Sequence, residues 1–173
     1  GTVPLHSDVI YMVNVTDVND NDPIFDQLSY SADIAEDAPP GTIVGRPIHA
    51  IDHDSRPNGA VSYSLEAGDG SAHFNVNLTS GQLSVSGPLD RETISVYSLT
   101  VRATDGGTPT RNATAVFTVT VTDVNDNFPQ FAQLQYAANV SEAVSIGTPV
   151  GVAVLASDSD LGENGSVTYA ITS

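Results

Sequence analysis

The strongest constraint on this chain is that it repeats itself. Residues 17–21 read DVNDN and residues 123–127 read DVNDN again, 123 − 17 = 106 positions later, each copy followed two places on by a proline. At that offset residues 1–67 lie over 107–173 without a gap. Phe25, Gln27, Leu28 and Tyr30 fall on Phe131, Gln133, Leu134 and Tyr136. Glu36, Gly41 and Thr42 fall on Glu142, Gly147 and Thr148, and Asp52, Asp54, Asn58 and Gly59 on Asp158, Asp160, Asn164 and Gly165. The chain therefore divides into the end of one unit (1–22), a complete unit with its linker (23–127) and the first part of another (128–173).

Within the unit the hydrophobic period is two, the signature of half-buried strands rich in β-branched residues. In AVFTVTV, Ala115, Phe117, Val119 and Val121 share one face, and Val116, Thr118 and Thr120 the other. The preceding run alternates through Tyr97, Leu99, Val101 and Ala103, and the earlier copy through Val9, Tyr11, Val13 and Val15, so each predicts a strand. Turn clusters separate such runs: AGDGS at 67–71, SGQ at 80–82 and DGGTP at 105–109. No stretch carries a sustained 3.6-residue stripe. About seven short strands per unit predict an all-β fold, a Greek-key sandwich of the immunoglobulin-like kind. Sandwiches strung end to end leave DVNDN as the whole linker, a polar hinge that needs stiffening.

Charge says what could stiffen it. Twenty-one acids against five Lys and Arg give a net charge of −16, which excludes nucleic acid and anionic membrane as partners. With 40% hydrophobic residues the chain is not an acid-rich disordered tail. The acids cluster, which points to neutralisation by metal cations. Ca²⁺ takes six to eight oxygens from carboxylates, amides and backbone carbonyls. In an extended linker successive side chains point to opposite sides. Asn125 and Asp126 would thus address different ions, and the carbonyls of Val124 and Asn127 would add ligands between them. A valine is acceptable there because only its carbonyl is used. Glu36, Asp90, Glu92, the pair Asp52 and Asp54, and Asp105 all sit at strand ends or in loops from which they could converge on a linker.

The ordered set AED, DHD…NG, LDRE, ATDGGTP and DVNDN resembles the extracellular cadherin repeat over the whole chain. The resemblance implies tandem β-sandwiches joined by calcium-binding linkers, with three Ca²⁺ at each complete junction. At the second junction it implies Glu36, Asp90, Glu92 and Asp126 for the first ion. Glu36, Glu92, Asp126, Asp160 and the Val124 carbonyl are implied for the second, and Asn125, Asp158, Asp160 and the carbonyls of Asn127 and Asn164 for the third. At the first junction it implies Val18, Asn19, Asp20, Asn21, Asp52, Asp54, Asn58 and Asp105. Three divalent cations would balance the six charges of Glu36, Asp90, Glu92, Asp126, Asp158 and Asp160. Arg56 departs from the pattern, standing where the next copy has Gly162, so the turn at the first junction is expected to differ.

The alternatives are weaker. An EF-hand fails because its sixth position would be Asp22 and its twelfth Leu28. Asp90 and Glu92 could be imagined as a glycosidase pair, but no cleft is signalled around them. Arg91 between them reads as a surface or packing residue. His6, His49, His53 and His73 lack zinc spacing and read as loop or surface side chains. No nucleophile motif is present, so no enzyme is expected.

Absent cysteine leaves the compartment to five Asn-x-Ser/Thr acceptors, at Asn14, Asn77, Asn112, Asn139 and Asn164, the last expected to be unglycosylated at the junction. The resemblance implies an extracellular piece of a single-pass cell-surface adhesion receptor whose partners are other cadherin ectodomains, homophilic or heterophilic. Having no Trp, the chain cannot supply a tryptophan-anchored strand exchange, so an internal position in a long protocadherin-, Fat- or Dachsous-like chain is expected. A non-adhesive force-bearing or planar-polarity signalling ectodomain is the alternative.

Overall fold

The computed structural model describes residues 1–172 except Val3, Leu5, His6, Ala67, Asp69 and Ser71. The expected roles of His6 and of three residues of the 67–71 turn therefore lie outside the described residues. The described elements are all strands: β1 (Ile24–Phe25), β2 (Ser29–Ala35), β3 (Ile43–Val44), β4 (Ala50–Ile51), β5 (Ser62–Leu65), β6 (Phe74–Val76), β7 (Leu83–Val85), β8 (Val96–Thr104), β9 (Asn112–Thr122), β10 (Gln130–Phe131) and β11 (Ala156–Ser157). Seven of them form two facing sheets, β2-β9-β8-β5 and β3-β7-β6. The small β1-β4 ladder closes the end of the sandwich that receives the first linker.

The period of two places the core. β8 buries Tyr97, Leu99, Val101 and Ala103, and β9 buries Ala115, Phe117, Val119 and Val121. Opposite them lie Val44, Phe74, Val76, Leu83 and Val85 from the smaller sheet. Full burial of one such Val, Leu or Phe is worth about 1.5–3 kcal/mol, so this apolar layer dominates the stability of the unit. Phe74 meets Tyr97 edge-on at 5.1 Å, and Tyr30 stacks on Phe117 at 6.0 Å. Between β6 and β7 the backbone turns at Gly81, where φ is +68° and a Cβ would stand 2.1 Å from the Ile48 carbonyl oxygen. Only glycine fits both conditions.

One pairing carries the linker into position. β2 runs parallel to β9 from Ser29 opposite Val116 to Ala35 opposite Thr122. Glu36, the next residue after β2, is therefore delivered beside the chain as it leaves β9, and its backbone N–H donates to the Thr122 carbonyl at 3.2 Å.

The same dependence explains a strand that does not form. Val9, Tyr11, Val13 and Val15 are described without a ladder and are strongly exposed, Val9 at 90% and Val15 at 92%. Their counterparts in β9 lie between β8 and β2, and no equivalents of those strands accompany residues 9–15 here. Period two marks a face, but a strand needs a neighbour. Residues 135–141, the counterpart of β2, likewise form no ladder among the described residues, although the Tyr136 hydroxyl donates to the Leu155 carbonyl at 3.0 Å. What does form after the second linker is the local part of the repeat. β10–β11 pairs Gln130 with Ser157, reproducing Ile24 with Ile51 at the 106-residue offset (24 + 106 = 130; 51 + 106 = 157). Tyr63 and Tyr169 likewise each accept a 2.8 Å bond from the backbone N–H of Ala50 and Ala156.

Candidate metal centre

Two groups of carboxylates converge at the second linker, and they share a residue. Oxygens of Glu36, Glu92 and Asp126 lie within 4.8 Å of one another, and so do oxygens of Glu92, Asp123 and Asp160. Each arrives from a different element. Glu36 follows β2, Glu92 lies in the loop between β7 and β8, Asp123 and Asp126 belong to the linker, and Asp160 follows β11. Glu36 is buried and spends both oxygens on the backbone, accepting from Arg91 N–H and Val124 N–H at 2.8 Å each. It thereby clamps the loop and the linker together.

The electrostatics are those of an acid cluster short of positive charge. Burial, then the charges of Glu36, Asp160, Asp90 and Asp123, push the Asp126 carboxyl above its ordinary range. Burial also pushes Glu92 up, reinforced by Glu36 and opposed by its own backbone N–H and by Arg91. Asp123 goes the other way. Burial pushes it up, but the Asn164 amide, the Leu161 N–H and the Arg91 guanidinium together outweigh that and hold it below the usual carboxylate range.

Asp90, Asn125 and Asp158 are not in either group. Asp90 accepts from the Thr93 hydroxyl at 2.7 Å and from its N–H at 3.1 Å, and the hydroxyl chiefly lowers its pKa. Asp158 accepts from Asp160 N–H at 3.0 Å, an Asx turn that aims Asp160 at the linker. Asn127 meets Asp160 twice, through its backbone N–H at 3.3 Å and its amide at 2.8 Å.

Asp123 was not among the candidates from sequence. Its signal was present: it is the first letter of the repeated DVNDN, and its twin is Asp17. Of the surface or packing roles read for Arg91, the structure favours packing. Its side chain is 8% exposed, lies 2.5 Å from Asp123 through Nε, and pairs with Glu92. Adding Asp123 and the Arg91 charge leaves the balance at the joint unchanged: seven carboxylates less one guanidinium is still −6.

The first linker repeats several of these bonds. Asn21 meets Asp54 through its N–H at 3.1 Å and its amide, and Asp54 N–H donates to Asp52 at 2.9 Å. Asn58 donates to Asp17 at 2.9 Å, as Asn164 does to Asp123. Gly59 and Gly165 are required alike, since a Cβ would fall 2.1 Å from the Asp54 carbonyl oxygen and 2.2 Å from that of Asp160.

The turn does differ at Arg56. Gly162 has φ +59°, whereas among the described residues no non-glycine residue takes positive φ, and the two turns close with different bonds, Gly59 to Ser55 and Asn164 to Leu161. Both still deliver the asparagine to the linker aspartate.

Asp105 is buried beside this linker, held by Arg111 N–H at 2.9 Å, Asn19 amide at 2.8 Å and Gly107 N–H at 3.2 Å, which together outweigh burial and keep its pKa low. Val18 and Asp20 are exposed, with Asp20 N–H donating to the Val18 carbonyl at 2.9 Å.

Two buried oxygens here lack any donor: Asn19 Oδ1 and Asp52 Oδ2. An unmatched buried acceptor is costly, and a hard cation is a partner that satisfies acceptors without supplying a hydrogen. The donor set is all oxygen, with no thiolate and no imidazole, which fits Ca²⁺ and not zinc.

Among known proteins, a family model described as the cadherin domain matches residues 30–122, which is 122 − 30 + 1 = 93 of the 173. The Caenorhabditis elegans protein named Cadherin EGF LAG seven-pass G-type receptor fmi-1 is 45% identical over 162 residues, covering 94% of this chain. The Drosophila melanogaster Protocadherin-like wing polarity protein stan is 43% identical over 165 residues, covering 92%. The chain spans only 6% and 5% of those two relatives. The crystal structure of mouse Cadherin-23 EC22-24 superposes with a TM-score of 0.80 at 39% identity, over 87% of this chain and 47% of that one. A seven-pass relative shows that such repeats are not confined to single-pass receptors. With the domain matched over more than half its length, with relatives above 40% identity and with the same sandwich, this chain belongs to the cadherin family.

Proposed function

We propose that this chain is a stretch of calcium-stiffened spacer in the extracellular part of a large cell-surface cadherin. Cadherin domains are structural adhesion modules and not enzymes. The observation that carries the reading is the shared Glu92, which belongs to both carboxylate groups and so ties the repeat (23–127), its linker and the following segment (128–173) to one set of charges.

At the second joint Glu36, Glu92, Asp123, Asp126 and Asp160 would hold metal. Asp90, Asn125, Asp158 and the carbonyls of Val124, Asn127 and Asn164 would complete the sites that the family resemblance implies. At the first joint Asn19 and Asp52 bring their unmatched oxygens, with Asp54, Asp105, Asp20 and the carbonyls of Val18, Asn21 and Asn58. Bound Ca²⁺ would supply positive charge and nothing else. The residues do the rest: Glu36 fixes the linker to the loop, and Asn127 with Asp160 fixes the next segment to the linker. Three ions per complete joint match the six net charges there. The rod so made would present other repeats to cadherin ectodomains on the same or a facing cell.

A folded state that alone binds metal gains RT ln(1 + [L]/Kd). Melting should therefore rise between chelator and millimolar Ca²⁺, and an unchanged melting curve would overturn the reading. A second reading, a planar-polarity or force-bearing ectodomain, is favoured by the likeness to the wing polarity protein. Sedimentation in Ca²⁺ separates them from an adhesive interface, since a pure spacer stays monomeric by itself.

A further inference from the structure

Arg91 is the one basic residue in the acid cluster of the second joint, and its contacts reach four parts of the chain. Its backbone N–H holds Glu36 at 2.8 Å, at the end of β2. Its guanidinium pairs with Glu92 in its own loop and stands 2.5 Å from Asp123 Oδ1 in the linker. The same guanidinium donates from Nη2 to the Ser159 carbonyl at 2.9 Å, in the segment beyond the linker. Among the described residues, the other bonds to that segment run between it and the linker: Asn127 donates to Asp160, and Leu161 and Asn164 donate to Asp123.

A guanidinium with 8% of its side chain exposed needs both charge and acceptors around it. The planar fork places its donors at separate, fixed positions, so Nε faces Asp123 while Nη2 faces Ser159, whereas a lysine would carry its three donors on one nitrogen. Arg91 Nε and Asp123 Oδ1 are close but not aligned as a hydrogen bond, so that contact is ionic.

We propose that Arg91 is a resident counter-cation that assembles the second joint before divalent metal arrives. It holds Asp123 and Ser159 against the loop that carries Glu92, so that metal tightens a joint already in place. The tightening by metal rests on the calcium reading, whereas the assembly by Arg91 does not.

The test is a distance distribution across the joint. The chain has no cysteine, so Ser98→Cys on the exposed face of β8 and Ser166→Cys beyond the linker give two clean sites for spin labels. The intact chain is measured in chelator and in millimolar Ca²⁺, with Arg91→Ala, Arg91→Lys and, from the other side, Asp123→Asn.

In chelator all three substitutions should broaden the distribution relative to the unsubstituted chain. The narrowing produced by Ca²⁺ should then be larger in the two Arg91 variants, because they start looser and keep every carboxylate of the joint. Arg91→Ala, or Arg91→Lys, as narrow as the unsubstituted chain in chelator would overturn the proposal. If the unsubstituted chain fails to respond to Ca²⁺ while the variants still broaden in chelator, the calcium reading falls and the role of Arg91 stands. Should Arg91→Ala not fold, Asp123→Asn decides alone: a narrow distribution in chelator would overturn the proposal.

Discussion

Asn164 donates its amide to Asp123 at 2.9 Å, across the junction between the linker and the segment after it. At the same place in the preceding unit Asn58 donates to Asp17, again at 2.9 Å. The bond commits the amide nitrogen of the Asn164 acceptor triplet to the joint. It also explains why DVNDN begins with an acid.

Asp123 accepts the Leu161 N–H at 3.0 Å as well, so it orders the turn that presents Asp160. Asp123→Ala should speed hydrogen exchange of the Leu161 and Asn164 region in chelator, and leave the protection of β8 and β9 unchanged. Exchange mass spectrometry reads both in one experiment.

Asp126 should change sign with metal. Burial and four neighbouring acids disfavour its ionised form when no cation is present. Asp126→Asn should therefore raise the melting temperature in chelator and lower it in millimolar Ca²⁺. Melts in the two buffers at neutral pH check this, and a loss of stability in both would contradict it.

The two joints lie at opposite ends of one repeat and share no residue. Asp52→Asn should reduce the Ca²⁺-dependent rise in melting temperature through the first joint, and Asp126→Asn through the second. Distant sites add to within about 0.5 kcal/mol, so the double variant should show the summed loss. Calcium titration calorimetry of the three variants makes the measurement.

The core obeys the period of two. Phe117 is 1% exposed, and Phe117→Ala should cost about 3–5 kcal/mol, a large fraction of the stability of a domain this size. Val116, next to it but facing solvent at 40% exposure, should tolerate Val116→Thr within about 0.5 kcal/mol. Urea denaturation in saturating Ca²⁺ separates the two.

Alkali should find Tyr30. Burial and the hydrogen bond it donates to Asp26 push its hydroxyl up to about 12 from 10.0. Between those values the folded chain keeps a proton that the unfolded chain has lost. Stability is thus fully present below the unfolded value and falls as pH rises toward the folded one. Tyr30→Phe should flatten that part of the pH profile, and phenolate absorbance should lose a late-titrating tyrosine while that of Tyr97, which burial also pushes up, remains.

The repeat at 106 residues, the alternation in β8 and β9 and the clustering of acids at strand ends are local or periodic facts, legible in the order of residues before any fold is known. The family was legible there too, since five motifs in order cannot be arranged by chance composition. Tertiary structure settled whatever depends on neighbours. Val9–Val15 has the pattern of β9 and no ladder, because pairing needs strands that do not accompany it here. Asp123 had no role in the sequence reading and Arg91 read as a surface or packing base, until the parallel pairing of β2 with β9 sets Glu36 beside the linker and closes the joint around them. A sequence records which charges a chain carries, but whether two of them are 2.5 Å apart is decided by where the strands between them end.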